Sequence, residues 1–147
     1  MSTLPMRLTG IAICLFLSGT SVSTRAAPAE PHVEVSSGFQ KTFTVSGNTI
    51  LSLGAQRRSR IGPDTTGAGE ITIGLAPAGG AVGVAKLHVF ERTAIAVGFT
   101  ATAFKGAEVI NTVQVCGRLD MDAWVGLSAE TTSVRVFAFV PVKGDCS

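Results

Sequence analysis

Two aspartates one residue apart, Asp120 and Asp122 in LDMDAWVGL (119–127), are the closest acid pair in the chain. Residues i and i+2 of an extended strand share a face, so the two carboxylates are expected side by side. With a third oxygen ligand they would suit a hard cation such as calcium. As a general acid and base they would suit a small hydrolase, provided they stand at the separation that bond cleavage across a cleft requires. Trp124 falls on the same face. One indole beside two acids is the nearest thing in the sequence to a platform for a sugar ring. Against this stands the plainer expectation of a solvated strand face, with Trp124 engaged in packing between sheets. The chain holds one Trp and no Tyr, whereas glycan binders usually present several aromatics.

The second cluster is basic. Arg57, Arg58 and Arg60 fall within QRRSR (56–60). Guanidinium groups grip carboxylate, phosphate or sulfate through paired N–H donors, so this segment is a candidate anion-binding or partner-binding loop. The alternative is a charged loop tip that serves only solubility. No aromatic residues interleave with the arginines, which argues against stacking on single-stranded nucleic acid.

Nucleophilic catalysis needs a nucleophile, a base and a group that orients the base. Histidine occurs only as His32 and His88. His32 sits near the start of the fold. His88, in KLHVFER (86–92), alternates with Leu87 and Val89 and is expected on the outward face of a strand. No GxSxG elbow occurs, and AGGAVGVAK (78–86) lacks the spacing of a phosphate loop. No catalytic residue, metal ligand set or cofactor is therefore assigned.

Cysteine use points outside the cytosol. Residues 1–26 read as a secretory signal peptide: Arg7, then an apolar run of about ten residues, then Ser, Thr and Gly. The run is too short to span a bilayer, which takes roughly 20 helical residues. Cleavage is expected after Ala26 or, alternatively, after Ala29. Cys14 falls within the discarded leader, which leaves Cys116 and Cys146. An even count in an exported chain implies a disulfide. A Cys116–Cys146 bridge would clasp the C-terminus and close a loop of about 30 residues, for which chain entropy gives roughly 3.6 kcal/mol.

Export also alters the charge. The chain has 12 basic and 10 acidic residues. Loss of Arg7 and Arg25 with the leader leaves ten of each, so the mature protein is expected to be neutral. That is a poor footprint for nucleic acid.

The elements that must position these residues are expected to be strands. The chain is 46% hydrophobic, 15% charged and rich in glycine, with 17 copies. That mix suits strands and turns. Alternation of period two recurs. It places Phe39, Phe43 and Val45 inward, then Leu51 and Leu53, then Ile71, Ile73 and Leu75, then Leu119 to Leu127 at odd positions. SVRVFAFV (133–140) is apolar on both faces, with Val134, Val136, Ala138 and Val140 opposite Phe137 and Phe139. AIAVGFTATAF (94–104) sets Ile95, Val97 and Phe99 against a face of small residues that the facing sheet is expected to approach. Two longer loops, 56–69 and 76–83, interrupt the pattern.

The reading is one all-β domain over residues 27–147, an antiparallel β-sandwich (Ig-like or jelly-roll-like) of roughly eight or nine strands. A partly closed β-barrel is the alternative. The expected function is that of an exported, secreted or periplasmic, non-catalytic binding or accessory protein. Its partner would be another envelope or extracellular protein, or itself; no nucleic acid and no membrane span in the mature chain are expected. The alternatives are a structural subunit of an envelope or surface assembly, and a small hydrolase using Asp120 and Asp122.

Overall fold

The computed structural model describes residues 29–60, 63–79, 83–116 and 119–143. The expected leader, Cys14 and Cys146 lie outside them. Ten strands are described: β1 His32–Ser36, β2 Phe39–Ser46, β3 Thr49–Leu53, β4 Arg57–Arg58, β5 Ile71–Ala76, β6 Ala85–Glu91, β7 Val97–Lys105, β8 Glu108–Cys116, β9 Asp122–Leu127 and β10 Ser133–Pro141. They form two antiparallel sheets packed face to face, an open sandwich with no closed barrel. The four-stranded sheet runs β1-β10-β7-β8. The six-stranded sheet runs β3-β2-β5-β6-β9, and β4 pairs with β2 beyond the end of β3. Among the described residues no helix is long and apolar enough to cross a membrane.

The chain changes sheets between β1 and β2. Ser37 N–H donates to Thr132 O at 2.9 Å and the next amide, Gly38, donates to Leu75 O at 2.7 Å. Consecutive donors thus serve opposite sides of the sandwich. The turn that permits this needs φ 83° at Gly38, a left-handed conformation open to glycine at little cost.

Between the sheets the core closes on three phenylalanines. Phe139 of β10 lies 5.5 Å from Phe43 of β2 and 6.0 Å from Phe99 of β7, both at tilted angles. All three are buried, with Val33, Val35, Ile71, Ile73, Leu87, Val134 and Val136 around them. Each such side chain contributes about 1.5–3 kcal/mol by burial.

Alternation placed most inward residues correctly; it failed where the register slips, and at Leu119 and Met121, which precede β9 and are exposed. Val134 and Val136 point inward as expected. A β-bulge then falls between Phe137 and Val140, with Ala138 at φ 55°. The extra residue reverses the phase, so Phe139 enters the core and Val140 is exposed. The bulged amide of Phe139 donates to Asn48 Oδ1 at 2.9 Å, so the β2–β3 hairpin turn caps an irregularity in the opposite sheet.

Leu51 and Leu53 were expected inward and are exposed by 65% and 51%. Val45 pairs with Ile50 and Thr44 with Ser52, which leaves Leu51 as the additional residue of a bulge. Leu53 shares the side of its partner Phe43, but β3 is an edge, with no further strand among the described residues to cover the side chain. The small-residue face of β7 also differs from expectation. Val97, Phe99, Ala101 and Ala103 face the other sheet, whereas Gly98 lies against Val140 and Val142 at the exit of β10. Ile95 precedes β7 and is exposed.

Candidate functional site

The three arginines lie along an open groove of about 560 Å³ on the outer face of the six-stranded sheet, at its β3/β4 end. The groove exists because the edge strand breaks. Gly54 N–H donates to Thr42 O at 2.8 Å, and a Cβ on Gly54 would stand 2.9 Å from that same oxygen. Only glycine lets the backbone come so close. The chain then leaves the β3 line and rejoins β2 as β4, where Arg57 pairs with Gln40 and Arg58 with Phe39. Four bonds hold the detour: the one from Gly54, Ser36 N–H to Gln56 Oε1 at 3.3 Å, Ser59 N–H to Gly38 O at 3.0 Å, and Arg60 N–H to Gln40 Oε1 at 2.7 Å.

Beside the arginines, threonine hydroxyls form a buried chain. Thr66 Oγ1 donates to Thr72 Oγ1 at 2.7 Å, and Thr72 and Thr42 share a hydrogen bond of 2.8 Å. Thr66 and Thr72 are buried, and this chain fastens the segment after the 3-10 turn Pro63–Thr65 onto the sheet. The segment 56–69, expected as a long loop, is therefore largely pinned where it is described. Arg57, Arg58 and Arg60 are exposed. Among the described residues none of the three is in an ion pair. Asp64 and Glu70 also line the groove, and Glu70 Oε2 accepts the Gly67 amide at 2.6 Å. Unpaired guanidinium groups held on a fixed backbone are suited to carboxylate, phosphate or sulfate.

The acid face lies at the opposite end of the same sheet, about 19 Å away across four strand spacings. Register joins the two places in one row: Arg57, Gln40, Gly74, His88, Trp124. Strand β9 begins only at Asp122, and Asp120 precedes it in a turn at φ 55°. The i, i+2 relation of a strand therefore does not hold for these two acids. Asp120 Oδ1 pairs with Arg92 Nε at 3.3 Å, and Asp122 Oδ2 with His88 Nδ1 at 3.2 Å. Among the described residues no three His, Cys, Asp or Glu side chains are grouped to hold a metal ion. Trp124 is 58% exposed, on the outer face and not between the sheets, with Lys86 Nζ 4.8 Å from its ring centroid.

His88 lies on the outward face as expected, but its partner Asp122 comes from a strand 34 residues away. That pairing depends on the β6–β9 register, which no local pattern states. His32 is the first residue of β1, with Nδ1 3.0 Å from Glu30 O. Cys116 ends β8 opposite Gly98.

Sequence reasoning passed over Glu91, which is fully buried in the core face of β6. Its Oε1 accepts the hydroxyl of Thr93 and the Val97 amide, the latter at 2.8 Å, while Oε2 has no partner among the described residues. Burial pushes its pKa up, opposed in part by these two hydrogen bonds. The signal was present: Leu87, Val89 and Glu91 share one parity. Glu91 fixes the crossover from β6 to β7, and its carbonyl receives the Asp120 amide at 2.8 Å.

No family model, curated protein or solved structure matches the chain.

Proposed function

We propose that the protein is an exported binding or accessory module that takes an anionic partner through the Arg57/Arg58/Arg60 groove. The observation that carries this reading is three exposed arginines, in no ion pair among the described residues, that line one groove whose backbone is fixed by four hydrogen bonds. A charged loop tip serving solubility would need no such anchoring. The separate partners of Asp120 and Asp122, Arg92 and His88, favour the non-catalytic reading over a hydrolase. A Cys116–Cys146 bridge completes the proposal, holding the chain end against the exit of β8 in an oxidising compartment.

The test is a titration of the purified protein with inorganic phosphate and with poly-glutamate, followed by amide NMR. Saturable shifts at Gly54, Arg57 and Arg60 are expected, and their loss when all three arginines are changed to Ala. Small shifts spread over the surface, equal in the triple variant, would refute the site.

A further inference from the structure

A sheet edge left open is a template for another strand, and folds usually blunt it with a bulge, a charge, a proline or a cover. Three of the four edges here are blunted. β3 carries the Leu51 bulge and then breaks at Gly54. β8 carries a bulge at Ile110, between the pairs Ala103–Asn111 and Phe104–Val109. β1 is five residues long, carries Glu34, and has its Ser36 amide engaged by Gln56. β9 differs. It keeps six consecutive pairs with β6 and no shift of register. It holds no proline and one charge, and no strand among the described residues pairs with its outer side. Exposed apolar residues collect there: Trp124 within the strand, Met121 just before it at 55% exposure, and Leu119.

We infer that β9 pairs with β9 of a second copy of this chain, antiparallel about a two-fold axis through Trp124. The residue order is self-complementary about that point. Asp122 of one copy falls opposite Gly126 of the other, and each Trp124 meets its counterpart in a cross-strand aromatic pair. Lys86 is the register neighbour of Gly126 on the inner side. Lys86, Gly126 and Asp122 of the second copy then form one row, about 10 Å across two strand spacings. A Cβ on Gly126 would have no atom within 4 Å, so the ammonium can reach across it to the carboxylate. Both halves of the interface gain this contact, as an isologous dimer requires. An axis through Asp122 would instead set two carboxylates face to face. On the other face Ala123 falls opposite Val125. The two six-stranded sheets become one sheet running through both molecules.

Sedimentation velocity of the purified protein tests this. The dimer is expected at about 100 µM, with Trp124→Lys weakening association at least tenfold by placing two ammonium groups across the axis. Trp124→Cys is expected to form a covalent dimer on mild oxidation, because residues opposite each other have Cβ atoms about 5 Å apart. Glu108→Cys on the β8 edge is the control and should not. If Trp124→Lys does not fold, the cross-link alone decides. A monomer at that concentration overturns the inference, as does a dimer indifferent to Trp124→Lys or equal cross-linking at both positions. The triple arginine variant should dimerise as the wild type does, so this result and that for the anion groove fail separately.

Discussion

The six-stranded sheet ends in two edges that use their residues in opposite ways. At the β3/β4 edge the strand is bulged, broken and tied down, and the irregularity creates a groove. At the β9 edge the strand is regular, and its outward side chains make only exposed contacts. The first edge has lost its capacity to pair with another strand and gained a concave surface. The second keeps that capacity intact. A sheet can thus offer two kinds of contact from its two ends, and the local hydrogen bonding decides which.

If this contrast is right, substitutions at the first edge should damage the fold and those at the second should not. The largest loss is expected from Gly54→Ala, whose Cβ would meet the Thr42 carbonyl at 2.9 Å. The backbone must move off β2, at about 2–3 kcal/mol in urea unfolding. A cost below about 0.5 kcal/mol would show that the break tolerates a side chain. Asn48→Ala comes next. It leaves the Phe139 amide without its partner in the β10 bulge, an expected loss of about 1–2 kcal/mol. Unchanged unfolding would mean that water replaces the cap.

Glu91 lies behind the entry to β9 and sharpens the comparison through pH. Its folded pKa is raised by burial. The folded state therefore holds the proton more tightly than the unfolded state. That contribution is full below the unfolded pKa and is lost as pH rises through the folded one. Glu91→Gln keeps the oxygen acceptor and cannot ionise. It should match the wild type near pH 4 and exceed it at pH 7. An equal difference at both pH values would remove the argument. The smallest effect is expected for Asp122→Asn, which breaks an exposed pair with His88 at less than about 0.5 kcal/mol. A loss above about 1 kcal/mol would place β9 among the structural edges after all.

Much of the sandwich could be read from alternation alone. The inward positions of β2, β5, β6 and β9 follow period two, most plainly in β9, where one face is exposed throughout. Alternation fails where a bulge adds a residue. Nothing in TILSL marks Leu51 as the extra one, and Ala138 takes a positive φ that its residue type does not advertise. The arginine cluster was visible as composition. Its groove was not, since it depends on how closely Gly54 approaches Thr42. The aspartates show the opposite case. Their spacing suggested a pair, but the strand starts three residues later than the pattern did, and the fold gave each acid a different partner, Arg92 for Asp120 and His88 for Asp122.

The position of Trp124 has an optical consequence. The chain has no tyrosine, and its other aromatic residues are eight phenylalanines. Its near-ultraviolet emission therefore comes almost entirely from one indole, which is already solvated in the folded state. Melting the Phe43–Phe99–Phe139 core would hardly change the colour of that light. Covering β9 with a second molecule would shift it to the blue, so the intrinsic fluorescence of this protein reports its company rather than its folding.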